Sequence, residues 1–175
     1  MSLNIEIKSV ISDCESTKER LENLGIKEAY TMYQRDIFYQ VPFGRLKLRS
    51  INSNQHELII YFRHNSKKPR PSKYHRIHTN YPDLINNVLT RIFGIRGIVE
   101  KKRLLFLQNN IRFHIDQVKN LGNYFEIEYI IGDSGLEAYA RERVNSLLSL
   151  LEISERQLVS ESYIDLLLKG NVDCH

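Results

Sequence analysis

The stretch LNIEIKSVI, residues 3–11, alternates without a break. Leu3, Ile5, Ile7, Ser9 and Ile11 take one parity, and Asn4, Glu6 and Lys8 take the other. Successive side chains of a strand point to opposite faces, so this predicts a strand with one apolar and one charged face. The same period of two recurs in residues 30–41, 45–51, 57–64, 74–79, 98–107, 110–118 and 123–131, each mixing β-branched or aromatic residues with polar ones. Eight strands are therefore expected. Pro42-Phe43-Gly44, Gln108-Asn109-Asn110 and Asn120-Leu121-Gly122 read as tight hairpin turns, and such short links require antiparallel neighbours.

Helices are expected at four places. Ser12-x-x-Glu15 reads as a capping box before Thr17, Leu21 and Leu24, with Gly25 as the stop. Pro82 opens a second helix carrying Leu84, Val88, Leu89 and Ile92 and ending at Gly94. Ser134-x-x-Glu137 opens a third with the stripe Val144, Leu147, Leu148 and Leu151, and residues 162–169 form a short amphipathic fourth. The segment NSKKPRPS, residues 65–72, reads as a basic, proline-bearing loop. No internal repeat or linker-like shift in composition divides the chain, so its 175 residues are read as one α+β domain spanning 1–175.

Cys14 and Cys174 form no C-x-x-C pair, which excludes a disulfide framework or a thiolate zinc site and points to a reduced, cytoplasmic setting. No apolar run approaches the ~18–20 residues of a membrane span, and the charges at Glu6 and Lys8 argue against a secretory signal. P-loop, G-x-G-x-x-G and H-E-x-x-H patterns are absent. The 25 basic and 21 acidic residues leave a net charge of only +4, so the information lies in where they sit.

One parity of the strands collects Glu6, Lys8, Arg45, Lys47, Arg49, Glu57, Arg63, Arg76, Lys101, Arg103, Arg112, His114, Asp116, Glu126 and Glu128. The other is mostly apolar, from Leu46 and Leu48 to Phe113, Ile115, Phe125 and Ile127. An open sheet would give the charges to water. Here the charged faces are dominated by Arg and Lys, and carboxylates concentrate on the first and last strands, which become neighbours if the sheet closes. A closed eight-stranded antiparallel barrel is expected, with a lumen wide enough for one small ligand. Glu6, Asp116, Glu126 and Glu128 are hard oxygen donors suited to Mg²⁺ or Mn²⁺. A cationic lining is self-repulsive unless water or a polyanion fills it, and the combination fits a chain of phosphates carrying a divalent metal.

N-I-E-I-K (4–8) resembles the E-x-E-x-K signature of the CYTH superfamily, the triphosphate tunnel metalloenzymes. G-R-L-K-L-R (44–49), E-L-I-I-Y-F-R (57–63), V-E-K-K-R (99–103), R-F-H-I-D (112–116), F-E-I-E (125–128) and S-Y-I-D-L-L (162–167) support it. In order and spacing they are most similar to the class IV (class 2) adenylyl cyclase branch. The resemblance implies a tunnel in which Lys8, Lys47, Arg49, Arg63, Arg76, Lys101, Arg103 and Arg112 bind phosphates. It implies Glu6, Glu126, Glu128 and Asp116 as ligands of Mg²⁺ or Mn²⁺, and Lys8, Arg63 and Asp116 as catalytic residues. It further implies ATP as the favoured triphosphate, conversion to cyclic AMP and pyrophosphate, a homodimer, and no membrane or nucleic-acid partner. Hydrolysis of an inorganic, nucleoside or thiamine triphosphate is the alternative reaction.

One departure bears on activity: Asn4 replaces the first Glu of E-x-E-x-K, removing one formal charge from the metal cluster. A non-catalytic nucleotide or polyphosphate binder is the reading that departure favours, and an open basic sheet would favour an RNA-binding module instead. Gln34 and Asp36 fall near the tunnel without an assigned role. His114 reads either as a general base or as a residue orienting a carboxylate. His75 and His78 fall on opposite faces and make a poor metal pair; Tyr61 and Tyr74 read as packing residues or as a platform for a base.

Overall fold

The structure, a computed structural model, describes residues 2–132 and 136–170. Eight strands, β1 (Ser2–Val10), β2 (Glu28–Tyr39), β3 (Arg45–Ile51), β4 (Gln55–Phe62), β5 (Arg70–His78), β6 (Ile95–Gln108), β7 (Ile111–Val118) and β8 (Gly122–Ile131), form a closed antiparallel barrel. Their order around it is β1-β5-β4-β3-β2-β6-β7-β8, and β8 pairs back onto β1. Closure places Glu6 opposite Glu128 and Lys8 opposite Glu126, so the first and last strands do become neighbours. The helices are α1 (Cys14–Asn23), α2 (Pro82–Phe93), α3 (Glu137–Leu150) and α4 (Tyr163–Gly170).

The hydrophobic core lies outside the barrel. Ile5 and Ile7 of β1, Phe113 and Ile115 of β7, and Phe125 and Ile127 of β8 point outward and are buried with Leu21 of α1 and Val144, Leu147 and Leu148 of α3. The interleaved positions of the same strands point into the barrel and are polar. Among the described residues, helix α2 covers the opposite wall of the barrel. Its Ile85, Leu89 and Phe93 pack on Ile37, Tyr39 and Leu48. Of the stripe expected to pack, only Leu89 does so, while Leu84 and Ile92 are 62% and 65% exposed and Val88 is exposed as well.

Helix α1 is capped by Asp13, whose Oδ2 accepts from the Ser16 amide at 2.7 Å, so the cap sits one residue beyond the Ser12 expected. Either residue type can cap, and the carboxylate also suits the positive end of the helix. The Ser134 cap falls outside the described residues. Strand β5 begins four residues earlier than expected, absorbing the end of the basic loop. From Arg70 to Ser72 it pairs with β1 alone, a one-sided pairing in which Pro71 is tolerated. Arg70 is thereby buried beside Glu6 rather than left in a solvated loop.

The turn into β3 depends on Gly44, which adopts φ +70°. A Cβ there would lie 2.7 Å from the Phe62 ring and 2.9 Å from the Tyr61 carbonyl oxygen. Left-handed backbone and a backbone clash act together, so Gly44→Ala is expected to cost about 2 kcal/mol, read as a lower urea midpoint. A shift below about 0.5 kcal/mol would show that this turn relaxes freely.

Candidate functional site

The inward parity of all eight strands lines one tunnel with a cavity of about 280 Å³. Asn4, Glu6 and Lys8 come from β1, Lys47 and Arg49 from β3, Lys101 and Arg103 from β6, Arg112 and His114 from β7, and Glu126 and Glu128 from β8. Arg63 follows β4, and Arg76 reaches the wall from β5. The charged parity expected from sequence is therefore brought together around a single space, apart from Arg45, which pairs with Asp165, and Asp116, which is buried against Lys101 and Arg103. Arg76 is the most peripheral of the set, half-exposed and 3.6 Å from Glu57.

Each cation in the tunnel has a carboxylate neighbour. Asp36 holds both Lys47 (2.8 Å) and Arg49, the latter through Nε at 2.7 Å and Nη2 at 2.8 Å. Glu6 Oε1 accepts from Arg63 Nη1 at 2.6 Å and has Arg70 at 3.6 Å. Arg112 lies 2.8 Å from Glu128, and Lys8 3.8 Å from Glu126. Lys8, Lys47, Arg49, Arg63, Arg70, Arg76, Lys101, Arg103 and Arg112 still outnumber Glu6, Asp36, Glu57, Asp116, Glu126 and Glu128. The excess positive charge is what an anionic ligand neutralises.

Asp116 has a different environment from the other expected metal ligands. Its fully buried carboxylate accepts from Lys101 Nζ (3.1 Å), Arg103 Nε and Nη2 (both 2.6 Å) and the Tyr163 hydroxyl (2.8 Å). Burial alone would raise its pKa, but Arg103 and Lys101 outweigh it and hold the carboxyl well below the usual range. With both oxygens engaged, Asp116 fixes the two cations in place. Glu126 and Glu128 are also held below their ordinary values: burial opposes ionisation, but Lys8, His114 and Arg103 together outweigh it at Glu126, and His114, Arg112 and Arg103 together do so at Glu128.

Two lysines are easily discharged. Burial, reinforced by Arg49, lowers Lys47 to about 7. Burial, with Arg63 beside it, lowers Lys8 to about 8. His114 is held below its ordinary value by burial and by Arg103, so its imidazole is neutral near pH 7. One atom each of His114, Glu126 and Glu128 lie within 4.8 Å of one another, a grouping with the size and donors for a divalent cation. Glu6 and Asp116 are not part of that grouping. Asn4 adjoins it: with its amide oxygen accepting from Arg112 Nη2 at 3.0 Å, its nitrogen donates to the Leu3 carbonyl at 3.1 Å.

Helix α4 closes one end. Tyr163 packs edge-on against Tyr124 and lies under Lys8 Nζ at 3.9 Å and Lys101 Nζ at 4.9 Å. Asp165 anchors the helix through Arg45 and Arg96, both at 2.7 Å, while its Oδ2 also accepts from the Ser162 hydroxyl. The other mouth has an apolar wall of Met32, Ile51 and Leu105, from β2 and its two neighbours β3 and β6. Sequence reasoning left Asp36 without a role and missed Arg70 and Tyr163. The aspartate on the inward parity of β2 was a readable signal, whereas the other two depend on strand length and on where the C-terminal helix docks.

Residues 2–163 match the CYTH domain family. A Methanocaldococcus jannaschii protein described as "Putative adenylate cyclase" is 25% identical, over 94% of this chain and 98% of that one. Among solved structures, the PH1012 protein of Pyrococcus horikoshii OT3 superposes with a TM-score of 0.85 at 22% identity, covering 95% of this chain and 99% of that one. A Hippeastrum protein, "Putative adenylyl cyclase HpAC1", described as having a dominant triphosphatase activity, superposes at 0.68 with 12% identity, over 97% and 96% of the two chains. These structural likenesses are ones of fold. The match along nearly the whole chain, with the tunnel that carries its motifs, places this protein in the CYTH domain family.

Proposed function

We propose that the protein is a divalent-metal-dependent enzyme acting on a nucleoside triphosphate, with ATP favoured and conversion to cyclic AMP and pyrophosphate as its reaction. The observation that carries this reading is the closed tunnel in which a surplus of Arg and Lys surrounds the His114–Glu126–Glu128 grouping. The apolar wall at the open mouth suits a nucleoside better than a bare inorganic triphosphate. The similarity to a protein described as an adenylate cyclase agrees with it.

Arg49, Arg63, Arg103 and Arg112 offer guanidinium groups to phosphate oxygens, and Lys8, Lys47 and Lys101 act as point charges. Asp36 and Asp116 are positioning residues, holding Lys47, Arg49, Lys101 and Arg103 before the substrate arrives. Phosphates that take Arg63 would leave its partner Glu6, which faces Glu128 across β1 and β8, with Arg70 as its remaining cation. Glu126 and Glu128 would hold a divalent cation, which would supply positive charge against that developing on the phosphate oxygens. Cyclisation is attack of the ribose 3′-hydroxyl on the α-phosphorus with pyrophosphate leaving. Hydrolysis, the reaction named for the Hippeastrum relative, uses the same cradle with water directed at the γ-phosphorus.

Purified protein given ATP with Mn²⁺ or Mg²⁺ is expected to release cyclic AMP and pyrophosphate in equal amounts. EDTA abolishes the reaction, and Glu128→Gln lowers kcat by at least about 100-fold. Phosphate without pyrophosphate would identify a triphosphatase, and tight ATP binding without turnover under either metal would identify a binding protein.

Lys47 gives an independent test of the phosphate cradle. The free protein loses this proton as pH rises through about 7, and a bound anion favours the charged form. Binding above that pH therefore takes up a proton, and affinity falls as pH rises. Calorimetric titration with ATP is expected to show a three- to tenfold loss of affinity, roughly, between pH 7 and 8. Lys47→Arg, which stays charged, reduces that loss to the part owed to Lys8. Affinity that is flat or rising in the wild type would exclude Lys47 from the binding site.

A further inference from the structure

Inside the tunnel, His114 presents a buried Nδ1 with no hydrogen-bond partner among the described residues. The residue is only 4% exposed, and the groups facing that atom are acceptors. Glu126 Oε2 lies 3.5 Å away and Glu128 Oε1 3.9 Å away. Neither contact has hydrogen-bond geometry. In the tautomer that leaves Nδ1 unprotonated, its lone pair opposes those of two carboxylates in a poorly solvated space, an arrangement relieved by a cation among them.

The charge around the three groups allows for such a cation. Arg112 occupies Glu128 Oε2 and Arg103 occupies one oxygen of Glu126, leaving Glu128 Oε1 and Glu126 Oε1 without a close hydrogen-bonded partner. On β1 the neighbours are Asn4, whose amide is neutral, and Glu6, which faces Glu128 but has its Oε1 taken up by Arg63 and Arg70. We propose that His114, through Nδ1, is a direct nitrogen ligand of the divalent cation beside Glu126 and Glu128, and that this mixed set selects Mn²⁺ over Mg²⁺. Magnesium demands oxygen donors, whereas imidazole suits first-row transition ions, and manganese accepts both. The nitrogen takes the coordination position that a further carboxylate would fill, without adding negative charge. This inference rests on the metal-dependent reading above and deepens it.

The test uses the full chain loaded with Mn²⁺ in the presence of a non-hydrolysable ATP analogue, with histidine at natural abundance or labelled with ¹⁵N. Pulsed electron paramagnetic resonance is expected to show the coupling of a directly bound imidazole nitrogen, altered by the label. His114 is the only histidine among the described residues lining the tunnel, so the wild-type spectrum bears on it without a variant. His114→Gln is expected to remove the coupling and to narrow the Mn²⁺/Mg²⁺ affinity ratio about tenfold. Its melting temperature in the absence of metal reports whether it folds.

Mn²⁺ bound with no histidine coupling, or an unchanged affinity ratio in a folded His114→Gln, overturns the inference and leaves the metal-dependent reading intact. Failure of the wild type to bind Mn²⁺ with the analogue overturns both.

Discussion

Asp116 and its donors set the terms for the rest of the molecule. Lys101, Arg103 and Tyr163 converge on one carboxylate with no exposure to water, and Asp36 does the same for Lys47 and Arg49. Removing such ions from water costs several kcal/mol each, and their mutual attraction returns little net stability. The interior of the barrel therefore does not hold the barrel together. Stability comes from the apolar layer outside it, where Phe113, Ile115, Phe125 and Ile127 meet Leu21, Val144 and Leu147. What the polar interior contributes is specificity of register. A slip of one residue on β7 would drive Arg112, His114 and Asp116 into that outer layer and leave Phe113 and Ile115 facing the tunnel charges.

That division of labour explains why the fold was legible. Two faces, both buried and chemically opposite, impose strict alternation, so the parity of LNIEIKSVI located the tunnel side of β1 before any neighbour was known. Closure was also readable, because Glu6, Glu126 and Glu128 make poor sense unless the first and last strands meet. The site residues on long alternating strands fell where parity put them.

What escaped depends on contacts remote in sequence. Arg70 lies in a proline-bearing basic segment whose local composition signals a loop, and only pairing with β1 draws it into the wall. Tyr163 reads as one residue of a short amphipathic helix. Its task follows from Asp165, which ties that helix to Arg45 and Arg96 across the end of the barrel. Helix α2 shows the reverse case. Its apolar residues outnumber those its single covered face can bury, and the side carrying Ile85, Leu89 and Phe93 wins over Leu84 and Ile92. Asp116 was readable as a site residue by type and position, whereas the donors that reach it from β6 and α4 were not.

The closed end also gives the tunnel a direction. Lys8 and Lys101 flank Tyr163, and Lys47 sits near Tyr61 and Phe38 at the same end. Glu128 and Arg112 lie further along their strands, away from Tyr124 and Asp116, which touch Tyr163. The apolar residues Met32, Ile51 and Leu105 belong to the open mouth. Glu126 lies level with Lys8, its partner across β8 and β1, and Glu128 lies one inward position nearer the mouth, beside Arg112. The order along the axis is therefore lysines and Tyr163, then the two glutamates with Arg112, then the apolar wall. Under the proposed function, a nucleoside against that wall would direct its phosphates past the glutamates toward the lysines, which act as point charges. The order of cations and carboxylates along the tunnel, and not their number alone, is what gives such a ligand one direction of entry.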